Sequence, residues 1–188
     1  MARAGRPAAR TSAAWWNEIR SNPESLLRWL RKQYHGEATA AERIERYCIA
    51  RLPADDPRRR ILAVVAGQER QHAHWVGDLL RARGEEPRIL TRRERYWTHA
   101  LTAMTSFEDA AGIAHHAEVM RLERIEVIAS DPTAPDDIRA TFARILRDER
   151  FHARAFARLA GSDGVRRTRS RHEDGARAIG FVRAAEAA

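Results

Sequence analysis

Residues 67–76 read GQERQHAHWV, and residues 147–156 read RDERFHARAF. Each holds Glu, Arg, one further residue, His and Ala in that order. A carboxylate and an imidazole three positions apart lie on one face of a helix, close enough to share an ion. One such pair carries little weight, because sixteen Glu and eight His in 188 residues give about 0.7 by chance. The surrounding apolar pattern carries the information. Leu62, Val65, Val76 and Leu79 follow helical steps, and Glu69 and His72 fill the gap between them. Ile138, Phe142, Ile145, Phe156 and Leu159 form a second stripe, with Glu149 and His152 in its gap. Both pairs therefore point into a core, where an uncompensated carboxylate costs several kcal/mol or takes up a proton.

Working outward, the two halves of the chain repeat one another. EATAAERIE at 37–45 aligns with EVMRLERIE at 118–126, at an offset of 81 residues, and the two Glu-x-x-His stretches align at an offset of 80. Glu37 falls on the stripe Leu30, Tyr34, Ala41, Ile44 and Cys48; Glu118 falls on Ala111, His115, Leu122, Ile125 and Ala129. Glu42 and Glu123 also repeat but lie about 140° around their helices, while Glu45 and Glu126 are intermediate and stand as reserve candidates. The inward set is four glutamates and two histidines. Hard oxygen donors with one imidazole per ion suit iron or manganese, and two divalent ions would balance four carboxylates.

The fold expected is all-α, an antiparallel four-helix bundle with a long connection between its second and third helices. The first helix starts at Asn22-Pro23, an N-cap with Pro at N1, and runs to about Leu52. The second spans about Pro57 to Gly84. A connection over 85–105 contains a short helix after Thr91. The third helix starts at Ser106 and ends at Ser130–Pro132, and the fourth runs from about Pro135 to Gly161. The bundle thus occupies 23–160, preceded by a flexible basic leader (1–22). A basic polar tail (161–188) follows it, with a short helix at 175–187.

Composition bounds the alternatives. At 44% hydrophobic and 32% charged, with no apolar run near the ~20 residues a bilayer crossing needs, the sequence does not describe a membrane protein. Its single cysteine, Cys48, excludes an internal disulfide and a four-cysteine metal knuckle, in keeping with a reducing cytoplasm. The net charge of +8 is concentrated towards the termini and suits nucleic acid or an acidic partner; Arg-rich solvation of helix faces explains it equally simply.

Glu37, Glu69–His72, Glu118 and Glu149–His152 match the pattern of the ferritin-like superfamily, and the chain resembles its rubrerythrin-like branch over about residues 23–160. That resemblance implies a non-haem di-iron oxidoreductase that activates O2 or peroxide, with two iron ions or a manganese–iron pair. It implies Glu69 and Glu149 as bridging, catalytically central carboxylates, Glu37 and Glu118 as terminal ligands, and His72 and His152 as one ligand per ion. Tyr34 and His115, one turn before Glu37 and Glu118, are candidate catalytic neighbours. Arg121 stands where peroxide-reducing rubrerythrins carry a further Glu. In size and motif spacing the chain is also similar to ferritin-like tRNA hydroxylases, so tRNA joins a small molecule or an electron donor among the expected partners. A homodimer and a non-catalytic ferroxidase role complete the set of expectations.

Overall fold

The computed structural model describes residues 8–91 and 94–183. These form six helices: α1 (Ser12–Arg20), α2 (Pro23–Tyr47), α3 (Arg58–Arg81), α4 (Arg95–Ala100), α5 (Phe107–Ser130) and α6 (Asp136–Ala178). Among the described residues the only β-type pairing is an isolated bridge between Arg10 and Phe181. The fold is the expected all-α bundle, built on α2, α3, α5 and α6.

The helix starts follow their capping residues. Asn22 Oδ1 accepts from the Ser25 amide at 2.9 Å, with Pro23 at the first helical position, and Ser106 Oγ accepts from the Asp109 amide at 3.1 Å. Pro53 pushes Leu52 into extended backbone, so α2 stops at Tyr47 and relaxes into a 3-10 turn over Ile49–Arg51. Arg59 closes that end by donating to the carbonyls of Ile49 and Leu52 at 2.9 and 3.0 Å.

The apolar interior falls into two clusters. One contains Leu30, Val76, Ile125 and Ile145; the other contains Ala41, Ala66, Ile113 and Phe156. Along α2 and α6 the chain passes from the first cluster to the second, and along α3 and α5 from the second to the first. So α2 runs opposite to its hairpin partner α3, and α5 opposite to α6. Helices α3 and α5 share a direction, both passing from the second cluster to the first. Every one of the four helices crosses between the clusters at its inward Glu or Glu–His pair.

Both ends differ from expectation. Within the stretch read as a flexible leader, Ser12–Arg20 is helical, capped by Thr11, and buries Trp15 and Trp16 against Trp29 and Phe142. Trp16 is 1% exposed and its Nε1 donates to Asp131 at 2.8 Å, which fastens α1 to the end of α5. Two adjacent tryptophans bury more apolar area than a nine-residue helix can forgo. Within the stretch read as a polar tail, α6 breaks at Gly161 (φ 64°) but resumes and continues to Ala178. Small residues permit this: a Cβ on Gly112 would stand 2.7 Å from the Gly164 carbonyl, and one on Gly175 would stand 2.8 Å from the Tyr96 ring. Residues 1–7 of the leader and 184–188 of the tail lie outside the described residues.

Candidate metal centre

The polar layer between the two apolar clusters is built from the inward positions of four helices. Glu37 of α2, Glu69 and His72 of α3, and Glu149 and His152 of α6 are fully buried, and Glu118 of α5 nearly so. Their donor atoms converge into two groups, each with all its atoms within 4.8 Å of one another. Glu37, Glu69, His72 and Glu149 form one group; Glu69, Glu118, Glu149 and His152 form the other. Glu69 and Glu149 belong to both.

Each imidazole is held by its outer nitrogen and leaves the inner one facing the carboxylates. His72 Nε2 lies 3.1 Å from Asp148 Oδ2, and His152 Nε2 lies 3.0 Å from Gln68 Oε1. Both partners can only accept at those oxygens, so each ring donates from Nε2 and turns Nδ1 inward, the nitrogen that in the neutral ring offers a lone pair to a metal. Gln68 Nε2 donates to Asp148 Oδ1 at 3.1 Å, which joins the two supports into one chain. His72 Nδ1 stands 3.8 Å from Glu37 and 3.5 Å from Glu149, and His152 Nδ1 stands 3.1 Å from Glu69.

The inner donors are poorly matched to one another. Oxygens of Glu37, Glu69, Glu118 and Glu149, and Nδ1 of His72 and His152, are buried without a hydrogen-bond partner. Most buried polar groups are hydrogen-bonded, so a convergent set of this kind fits a cation. The electrostatics of the site have the same cause. Burial pushes Glu37 up to about 7 and Glu118 well above the ordinary carboxylate range. Burial also raises Glu69 and Glu149, but Arg121 and the imidazoles outweigh it and both end lowered, Glu149 strongly. Burial opposes charge on His72 and His152, yet the surrounding glutamates raise both, His152 to about 10.

Arg121 enters this layer from α5. Its Nε lies 3.1 Å from Glu149 and its Nη1 3.8 Å from Glu69, and its Nη2 contacts Glu37. Beside it is a cavity of about 70 Å³ lined by Glu118, Arg121 and mostly apolar side chains, among them Ala40, Ile44, Met104 and Phe156. Arg43, Tyr47 and Trp97 line both this cavity and an outer groove of about 420 Å³.

The other candidates fall outside the two groups. Tyr34 is half-buried and packs towards Gly77. His115 Nδ1 pairs with the carbonyl of Ala153 at 2.9 Å, beside the site but turned to backbone. Glu45 and Glu126 form surface ion pairs with Arg70 and Arg150. His116 is half-buried and stacked on His172 at 4.8 Å, because the continuation of α6 covers it. Gln68 and Asp148 went unread in the sequence since they sit off the apolar stripes; their signal is that each immediately precedes the Glu of a Glu-x-x-His pair.

A helical bundle with a buried layer of glutamates and histidines between apolar clusters is the architecture of the ferritin-like metal-carboxylate proteins. A family model described as Rubrerythrin matches residues 32–160, and the chain belongs to that family. Neither the curated proteins nor the solved structures compared with it gave a significant match. The family and the buried Glu–His cluster together fit a di-iron carboxylate protein. Among the described residues no helix is long and apolar enough to cross a membrane.

Proposed function

We propose that this protein is a di-iron oxidoreductase acting on a small, largely apolar molecule. Two iron ions would be held by Glu37, Glu69, His72, Glu118, Glu149 and His152, with Glu69 and Glu149 shared between them. Bound iron supplies the redox couple that reacts with O2 or peroxide. The chain's own groups fix the ligands and exclude water. Asp148 and Gln68 orient the imidazoles, and the two apolar clusters close the layer from both ends.

The observation that carries the enzymatic reading is the cavity lined by Glu118 and Arg121. Storage needs no apolar chamber beside the ligands, whereas a substrate does. The outer groove sets Glu42 and Glu94 against Arg43 and Arg46. That balance offers no cationic track for a phosphate backbone and favours a small molecule over tRNA.

Purified protein is expected to bind about two iron ions per chain, measured by elemental analysis, and Glu69→Ala with Glu149→Ala to bind none. Full metal content in the double variant would overturn the site. Mass spectrometry of small molecules and of tRNA nucleosides, from cells with and without the protein, tests the substrate class. A change confined to tRNA would replace the small-molecule reading.

A further inference from the structure

Arg121 brings into the metal layer a positive charge that the internal repeat does not reproduce. At the offset of 81 that relates Glu37 to Glu118, its counterpart is Ala40, which lines the same cavity. Two-fold symmetry would give two equivalent ion positions, and a single guanidinium removes that equivalence.

The guanidinium bears on both groups but unequally, since Glu69 and Glu149 are shared. The guanidinium reaches Glu37, Glu69 and Glu149, which are all three carboxylates of the group containing His72. Glu118, the carboxylate that only the His152 group contains, forms no ion pair with it among the described contacts. An arginine side chain does not shed its proton in a protein, so the charge cannot be removed in place. It can only be moved, and Arg121 also lines the adjoining cavity.

We propose that Arg121 is an internal counter-cation that the ion in the Glu37–His72 group has to displace. This rests on the metal-binding reading above. Before metal arrives the guanidinium offsets buried carboxylates from α2, α3 and α6, and it makes the ion-free bundle stable. The first ion enters the Glu118–His152 group, which the guanidinium contests least. The second ion enters against Arg121 and is held more weakly. Four carboxylates with two divalent ions are neutral; with Arg121 retained the loaded layer carries one positive charge.

Calorimetric titration of ion-free protein with Mn(II), and anaerobically with Fe(II), reads both affinities; thermal melting of the ion-free protein reads the stability. The wild type is expected to show two affinities at least about tenfold apart. Arg121→Met should tighten the weaker one by about tenfold or more, while the ion-free protein melts about 5–10 °C lower. Arg121→Lys, which keeps the charge, should keep two separated affinities, and it together with Arg121→Gln serves if the Met variant does not fold. Equal affinities in the wild type would overturn the proposal. So would an unchanged weaker site in Met or Gln, or an ion-free Met or Gln variant as stable as wild type. No binding by the wild type at all would instead overturn the metal centre itself.

Discussion

A histidine ligates a metal with a defined nitrogen only if something fixes the other one. Here Asp148 fixes His72 and Gln68 fixes His152, so the two imidazoles differ in the charge behind them. A carboxylate behind the ring makes its free nitrogen the more basic donor. Asp148→Ala is therefore expected to lower metal affinity about 10- to 100-fold without removing any ligand, measured by competition with a chelator; an unchanged affinity would mean that packing alone orients His72. The six inward residues were legible because a polar pair that fills a gap in an apolar stripe has no other face to occupy. Their supports were not, since the residue before each Glu lies off the stripe and is part-exposed. The inward turn of Arg121 was hidden for another reason: its length lets it cross from the edge of α5 into the layer.

At the scale of the helix, glycines mark where two backbones touch. Gly112 on α5 and Gly164 on α6 leave no space for a side chain, while Gly67, on the exposed face of α3, has nothing within 4 Å of a Cβ. The same substitution should then have opposite signs at the two places. Gly112→Ala is expected to destabilise by about 1–3 kcal/mol through overpacking, and Gly67→Ala to stabilise by up to about 1 kcal/mol through helix propensity. Denaturant unfolding of both variants checks this, and equal effects would refute it. The four long helices and their caps were readable from periodicity and from Asn22, Pro23 and Ser106. The continuation of α6 was not, because glycine at 161, 164 and 175 reads locally as helix punctuation. Only the close approach to α5 and Tyr96 gives Gly164 and Gly175 a packing role. Helix α1 was missed similarly, its nine residues being stable only on the Trp29 and Phe142 surface that it covers.

Across the molecule, the continuation of α6 brings His172 onto Tyr96, whose hydroxyl pairs with His172 Nδ1 at 3.0 Å. Asp109 holds the same segment through Arg167 at 2.7 Å. Burial, with His116, Arg183 and His115 nearby, lowers His172 to about 4. The folded value lies below the unfolded one, so the docked segment binds fewer protons than the undocked one. Its stability is complete above about pH 6.5 and is lost as pH falls towards about 4, by at most about 3 kcal/mol. Hydrogen exchange over 162–178 is expected to quicken across that window, and to lose this acid dependence in His172→Gln, which keeps a hydrogen-bonding side chain beside Tyr96. Acid loosening that persists in the variant would place its origin elsewhere.

The hairpins α2–α3 and α5–α6 each contribute two glutamates and one histidine to the layer, with Glu69 and Glu149 facing one another across their junction. Arg121 of the second hairpin answers Glu149 of its own half and also Glu37 and Glu69 of the first. For the first hairpin, assembly of the two halves is thus where that compensation becomes available. The centre is consequently a latch between two half-proteins, and its strength sets how cooperatively they come apart.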